Sequence, residues 1–393
     1  MPHIRIKSFR RPDFPAAEGE TRFLWYADNV EHPGEGLLGV EVDGIPFLLQ
    51  VKPKGNDVLL KAEKISRPSP NRLIKQALHD YIDLTGAEVL HENISNFQEA
   101  KLSKPNDALL EIDRFNADEL PDKPLWIEVG FGSGRHLLHQ AAAHPDVHLI
   151  GLEIHRPSLE QVMRRIELEG LSNVQVIDYD ARLFMELLPS DRVERIFVHF
   201  PVPWDKKPHR RVISDSFAAE SMRVLKPGGT LELRTDSENY FRYSMEVFTR
   251  PKRVRLSLEK NAEAAVRSKY EDRWLRMNKN IYEIHLESLE ASPPKAIDRN
   301  FSIPCAPAIF AVAAAKPAKA MIQSDHFVHI ERIYAIDEKS GLVRLSFGSF
   351  DRPEHKYILI EEGKARYYPH DPVATRTNRA AHEKVKEWLC RMS

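Results

Sequence analysis

The segment Trp126–His136, WIEVGFGSGRH, limits what this chain can fold into more than any other stretch. Apolar Leu125, Trp126 and Ile127 run into Glu128. Glycines follow at 130, 132 and 134, and a helical pattern starts at Leu137. A strand, a tight turn and a helix start, in that order, open a nucleotide-binding crossover. Glycine tolerates positive φ there and lets a ligand come close to the backbone. The same turn also suits a purely structural crossover, so the rest of the chain has to decide.

From about Pro121 to Leu289 strand and helix patterns alternate. Strands are expected at Trp126–Val129, Leu149–Ile154, Val174–Ile177, Arg195–His199, Thr230–Arg234, Val254–Leu258 and Ile281–Leu286. Helices are expected at Arg135–Ala143, Pro157–Glu169, Ala181–Leu188, Ile213–Val224 and Tyr240–Phe248. Such alternation implies a parallel sheet with helices on both faces. Leu225–Thr230, LKPGGT, reads as a helix stop and a turn feeding the fifth strand. The last two strands have no helix between them and pair as an antiparallel hairpin. Five parallel strands with that hairpin make an α/β, Rossmann-like sheet of the class I S-adenosylmethionine-dependent methyltransferase type.

At 393 residues the chain is too long for one ordinary domain. Residues 1–88 read as a small α+β domain. Its strands lie at Leu37–Val42, Phe47–Lys52 and Val58–Ala62, followed by a helix with Leu73, Ile74, Ala77, Leu78 and Tyr81 on one face. Residues 89–120 read as a linker, 121–289 as the methyltransferase-type domain and 290–324 as a Pro/Ala-rich linker. Residues 325–393 read as a second small α+β domain, with strands from Val328 and a helix over about Thr377–Cys390. Strands-then-helix occurs at both ends, which fits a duplication but is also a common meander. The only two cysteines, Cys305 and Cys390, lie far apart, so neither a disulfide framework nor a zinc site is expected. The start, MPHIRIKSFRRPDF, lacks the apolar core of a signal peptide, and no stretch is long and apolar enough to span a bilayer. A cytoplasmic chain is expected. Net charge is −1, so any nucleic-acid contact must rest on a local basic patch.

Acids end successive strands of the central domain: Glu128, Glu153 in LIGLEIH, and Asp180 in IDYDA. In open α/β sheets ligands bind at the carboxyl ends of the strands. An acid after the second strand suits ribose hydroxyls, and one after the third suits an adenine amino group. Asp178 competes with Asp180 for the third place, and spacing does not choose between them. Arg135 stands where a dinucleotide fingerprint would have its last glycine, which favours S-adenosylmethionine over a dinucleotide. The fourth strand runs into VHFPVPWDKKPHRR, Val198–Arg211. There Lys206, Lys207, Arg210 and Arg211 interleave with Trp204 and His209, a pattern suited to phosphate contact and base stacking.

These motifs resemble those of the tRNA (guanine-N7-)-methyltransferases. The family's marks are matched by Glu128–Gly134, Gly151–Glu153, Asp180-Ala181, Phe200–Lys207, Leu225–Gly229, Thr235-Asp236 and Ser268-Lys269-Tyr270-Glu271. The resemblance covers about residues 122–289, under half the chain. It implies methylation of guanine N7 in tRNA, in the variable loop, with S-adenosylmethionine as donor. By the resemblance Glu128, Gly130, Gly132, Gly134, Glu153 and Asp180 bind the donor. Lys206, Lys207, Arg210, Asp236, Ser268 and Glu271 contact the target nucleotide, with Asp236 and Glu271 as the catalytic acids.

The chain departs from the family at two of these positions. Val202 replaces the loop aspartate, so FPVPW stands for FPDPW, and Ser268 replaces threonine. Guanine N7 has a lone pair and no proton, so methyl transfer to it needs no general base. Positioning and field remain as the enzyme's contribution, and Asp236 and Glu271 are the carboxylates left to supply it. A tRNA-binding protein with an inactive core, or a methyltransferase of other specificity, are the rival readings. His136 and His139, one helical turn apart, read as surface or core residues. The basic residues of the last helix read as a solvated face rather than a tRNA contact.

Overall fold

The computed structural model describes residues 2–94, 108–262, 277 and 279–392. It divides into two compact units, residues 1–102 with 299–393, and residues 103–298.

The first unit begins with strands β1 (His3–Ile6), β2 (Ala16–Glu18), β3 (Thr21–Asn29), β4 (Gly36–Val42), β5 (Ile45–Lys54) and β6 (Asp57–Ala62). Helix α1 (Arg72–Thr85) and strand β7 (Val89–Glu92) follow. Tight turns at Asp43-Gly44 and Gly55-Asn56 join β4 to β5 and β5 to β6. Four strands were not evident in the sequence, because β1, β2 and β7 are short and β3 carries a bulge between Phe23 and Trp25. A bulge breaks the period-two alternation on which strand recognition depends.

The second unit holds β8 (Leu125–Val129), α2 (Arg135–Ala143), β9 (His148–Leu152), α3 (Arg156–Glu169) and β10 (Val174–Ile177). It continues with α4 (Ala181–Phe184), β11 (Val193–His199), α5 (Asp215–Val224), β12 (Leu225–Thr235), α6 (Glu238–Phe248), β13 (Val254–Lys260) and β14 (Tyr282–Ser288). The sheet order is β10-β9-β8-β11-β12-β14-β13. Strands β8 to β12 are parallel, whereas β14 runs antiparallel to both β12 and β13. This is the class I methyltransferase sheet. The turn expected at LKPGGT is absorbed into β12 as a bulge: Val193 faces Leu225, but Arg195 faces Thr230. β8 and β9 are buried along their whole length. Leu137, Leu138 and Ala141 of α2, with Leu159, Val162 and Ile166 of α3, cover Trp126, Leu149 and Val176 on one face.

The chain then returns to the first unit with α7 (Ile309–Ala314), β15 (Met321–Ile322), β16 (Phe327–Ala335), β17 (Gly341–Gly348), β18 (Pro353–Glu361), β19 (Lys364–Tyr368) and α8 (Arg376–Cys390). The two end segments, expected as separate small domains, share one sheet of order β19-β18-β17-β16-β3-β4-β5-β6-β1-β7. Each contributes a four-strand meander followed by a helix. The first strands of the two meanders meet antiparallel, Tyr334 against Asn29 and Ala335 against Asp28. One core lies under α1 and another under α8. A third joins Ala27, Leu37 and Leu48 from the first meander to Tyr334, Leu342, Tyr357, Leu359 and Tyr368 from the second. The Pro/Ala-rich stretch also contributes to this packing, with Phe301, Ile303, Ile309 and Val312 buried in the core under α8.

The expectation of unpaired cysteines is overturned. Cys305 and Cys390 form a disulfide with their Cα atoms 5.2 Å apart. Eighty-five residues separate them in sequence, and only the packing of the Pro/Ala-rich stretch against the last turn of α8 brings them together. Among the described residues no helix is long and apolar enough to cross a membrane.

Because the third core draws on both end segments, Leu342→Ala is expected to destabilise them together. Leu342 is fully buried, so the loss should be about 2–5 kcal/mol, seen as one shifted unfolding transition. Two separate transitions for the end segments would contradict a shared core.

Candidate active site

The strand order reverses between β8 and β11, and the crevice opened there lies at the carboxyl edge of the parallel strands. The glycine turn forms one wall. Gly130, Gly132 and Gly134 have φ of 70°, 52° and 68°. A Cβ on Gly134 would fall 2.4 Å from Val162 Cγ2, so this glycine lets α2 pack on α3. A Cβ on Gly130 would meet no atom within 4 Å, leaving its face open to a ligand. Gly130 N–H is tied to Leu152 O at 2.7 Å. Gly132 N–H donates to Glu153 Oε2 at 3.0 Å. Glu153 Oε1 accepts from the amides of Ile154 and His155 at 2.9 and 3.0 Å. The acid at the end of β9 is therefore oriented by three backbone amides beside the turn.

Glu128 is 4% exposed and accepts a hydrogen bond from His136 Nδ1 at 2.8 Å. Asp180 caps α4, its Oδ1 accepting from Arg182 N at 3.0 Å. The Arg182 side chain also wraps the same carboxylate, NH2 to Oδ2 at 2.7 Å. Asp178 is half-buried directly after β10. The structure thus brings Glu128, the three glycines, Glu153 and Asp180 to one sheet edge, each already engaged locally.

The loop after β11 forms the other wall. Phe200 and Trp204 both have positive φ, 50° and 44°, which costs a non-glycine residue energy and has to be held by surrounding contacts. Phe200 N–H donates to Arg234 O at 2.7 Å, pinning the loop root to β12. Lys206, Lys207 and Arg210 are exposed, and the Arg210 guanidinium lies 5.2 Å over the Trp204 ring. Val202, in the place of the family aspartate, is 59% exposed and contributes no charge.

Arg211 behaves differently from its basic neighbours. Sequence pattern grouped it with the phosphate-facing residues, but it is 5% exposed. Its Nε donates to Pro203 O at 2.8 Å and its NH2 to Asp205 Oδ1 at 3.2 Å. The guanidinium lies 4.5 Å over Tyr243 and 5.4 Å over Tyr240, both on α6. Asn239 Nδ2 also donates to Asp205 Oδ1, at 2.6 Å. Arg211 therefore clamps the loop onto α6. The only sequence cue was an arginine directly before an apolar residue, which does not distinguish a clamp from a surface charge.

Asp236 sits between β12 and the N-cap of α6, Ser237, and takes an ion pair from Lys279 Nζ at 2.7 Å. Lys279 was not singled out in the sequence. Ser268 and Glu271 lie outside the described residues.

Comparison with known proteins bears on the family. A family model described as a putative methyltransferase matches residues 122–284. A tRNA (guanine-N(7)-)-methyltransferase of Wolinella succinogenes is 45% identical over 397 residues, covering 99% of this chain and all of the relative. The chain belongs to the tRNA (guanine-N(7)-)-methyltransferase family. Members from Campylobacter fetus and Helicobacter pylori are 38% and 36% identical, with 99% and 97% of each chain covered. Because the matches run the full length, the end segments are also part of these relatives.

Arg211→Lys keeps the charge but loses the fork that reaches Pro203 and Asp205 together. It is expected to lower stability by about 1–3 kcal/mol and to speed tryptic cleavage after Lys206. An unchanged digestion rate would remove the clamp role.

Proposed function

We propose that the chain transfers a methyl group from S-adenosylmethionine to N7 of a guanosine in tRNA, as its relatives' name states. The observation carrying this reading is the full-length likeness to those relatives, together with a glycine turn and a basic loop facing one sheet edge. The open face of Gly130 and the amide-oriented Glu153 fit an adenosine-bearing donor, with Glu153 toward the ribose and Asp180 toward the base. S-adenosylmethionine, when bound, supplies a methyl on a sulfonium: the N7 lone pair forms the new bond while the carbon–sulfur pair returns to sulfur, and no proton leaves. The chain's residues then have to position and to balance charge. Lys206, Lys207 and Arg210 hold backbone phosphates, and Trp204, braced by Arg210, offers a stacking face. The positive charge ends on the guanine ring, so Asp236 beside it stabilises the charge as it develops. Glu271 and Ser268 complete the nucleotide contact in this reading.

The exposed Val202 supports a second reading, a tRNA-binding protein without transfer. Incubation with labelled methyl donor and unmodified tRNA separates the two. Label recovered in 7-methylguanosine supports the enzyme. Binding without transfer, restored by Val202→Asp, supports the other. In the enzyme, Asp236→Ala is expected to cut turnover by about 100-fold or more; unchanged turnover removes its assigned role.

Lys206→Ala should weaken tRNA binding evenly across sequences and reduce the slope of log affinity against log salt by about one. An unaltered slope would place Lys206 off the phosphate backbone.

A further inference from the structure

Sheets flanked by helices on both faces normally have continuously apolar strands. Here β12 and β14 alternate instead, as TLELRT and YEIHLES, β11 ends in a polar His199, and the register sets these polar residues on one face. Phe197 stands opposite Glu128 and Glu232, Glu232 opposite His285, and Arg234 opposite both His199 and Glu283.

These side chains join end to end. From the donor side, the His136 ring, bonded to Glu128, packs edge-on against the His199 ring at 4.5 Å. A carboxylate can only accept, so His199 Nε2–H donates to Glu232 Oε1, at 2.8 Å. Glu232 lies 4.0 Å from His285 Nδ1, and His285 Nε2–H donates to Glu283 Oε1 at 2.6 Å. Glu283 pairs with Arg234 Nε at 2.9 Å. Arg234 closes the chain on the loop, with its carbonyl bound to Phe200 N–H and its guanidinium 5.9 Å over the Phe200 ring. The sequence therefore runs from the acid under the glycine turn to the root of the basic loop. His199 is the last residue of β11 and directly precedes Phe200.

We propose that His199 and Glu232 are positioning residues of the reaction: as the middle link of this chain they hold the loop root in register with the donor turn, and a change in the chain's protonation moves the loop. The proposal rests on the methyl-transfer reading given above.

Electrostatics agree with the geometry. Burial alone would raise the Glu232 carboxyl. The His199 hydrogen bond and the charges of His199, His285 and His136 override burial and bring it down to about 2. Burial opposes charge on His136, and Glu128 overcomes it, so His136 titrates above its ordinary 6.5. The hydrogen bond from His285 to Glu283 raises His285 likewise, against burial, with help from Glu232, Glu283 and Glu259. Arg234 opposes charge on His136. Arg255, paired with Glu287 at 2.6 Å, continues the same face on β13. Both histidine shifts are upward, so the attraction they supply is complete below pH 6.5 and is lost as pH rises through the raised values. Glu232 stays charged throughout that window. The loop is therefore held most firmly on the acid side.

His199→Phe keeps a ring against Phe197 and His136 but removes the bond to Glu232. Glu232→Gln keeps shape and removes charge. In each full-length variant, turnover and KM for tRNA are measured beside the dissociation constant for S-adenosylmethionine. Trp204 emission is followed from pH 5.5 to 9 as the difference from a matched Trp204→Phe protein. Turnover is expected to fall about 10- to 100-fold, with donor affinity within about twofold. The wild-type Trp204 signal should titrate, and that titration should vanish in both variants. Variants that keep wild-type turnover and titration overturn the proposal. So does a parallel loss of turnover, donor affinity and melting temperature with the titration retained, which would mark the pair as merely structural. If neither variant folds, the wild-type difference signal still decides, since a Trp204 signal flat across that range overturns the proposal. Wild type that titrates but methylates no tRNA would refute the functional reading while leaving the loop coupling standing.

Discussion

The reversal of strand order between β8 and β11 is the constraint on which the site depends. Five parallel strands point every carboxyl end to one edge, and the two crossovers diverge there, leaving a crevice that side chains must line. Glu128 closes β8 on this edge, buried and bonded to His136, and the three positive-φ glycines follow it. Helix α2 can start this close to α3 because Gly134 carries no Cβ against Val162. The glycine wall of the crevice and the packing of α2 on α3 are thus a single solution.

The opposite wall is held in a costlier way. Two non-glycine residues, Phe200 and Trp204, sit at positive φ, and the structure supports each from a different side. The loop root is bound by Arg234 on β12, and the loop body by Arg211 against α6. The basic segment therefore divides into an interior member, Arg211, and the exposed Lys206, Lys207 and Arg210. Position 202 carries no acid, and Asp236, after β12, is paired with Lys279.

The end segments follow the same logic as any sheet that must cover its edges. Each meander has its own helix and core, but β3 and β16 would each leave an open edge. Pairing them joins 21–29 with 327–335 and buries Ala27, Leu37 and Leu48 of the first half with tyrosines and leucines of the second on the face away from the helices. The cysteine pair adds a covalent tie between the Pro/Ala-rich stretch and α8.

Much of this was legible in the sequence, for local reasons. Glycine spacing, strand-end acids and the helix–strand alternation are short-range, so the parallel order of β8 to β12, the final hairpin and the position of the basic loop could be read directly. The alternation in TLELRT and YEIHLES also stood in plain view as a sign of a polar sheet face, although its partners did not. What required tertiary structure were the long-range pairings. Cys305 with Cys390, β3 with β16, Arg211 with Tyr243 and His199 with Glu232 join residues whose separation carries no periodic signal. One arginine in a run of basic residues looks like the next until packing buries it. The sequence determined which groups reach the sheet edge, because strand direction does that alone; the tertiary structure decided which of them hold the site and which face outward, because burial and partner choice depend on elements distant in the chain.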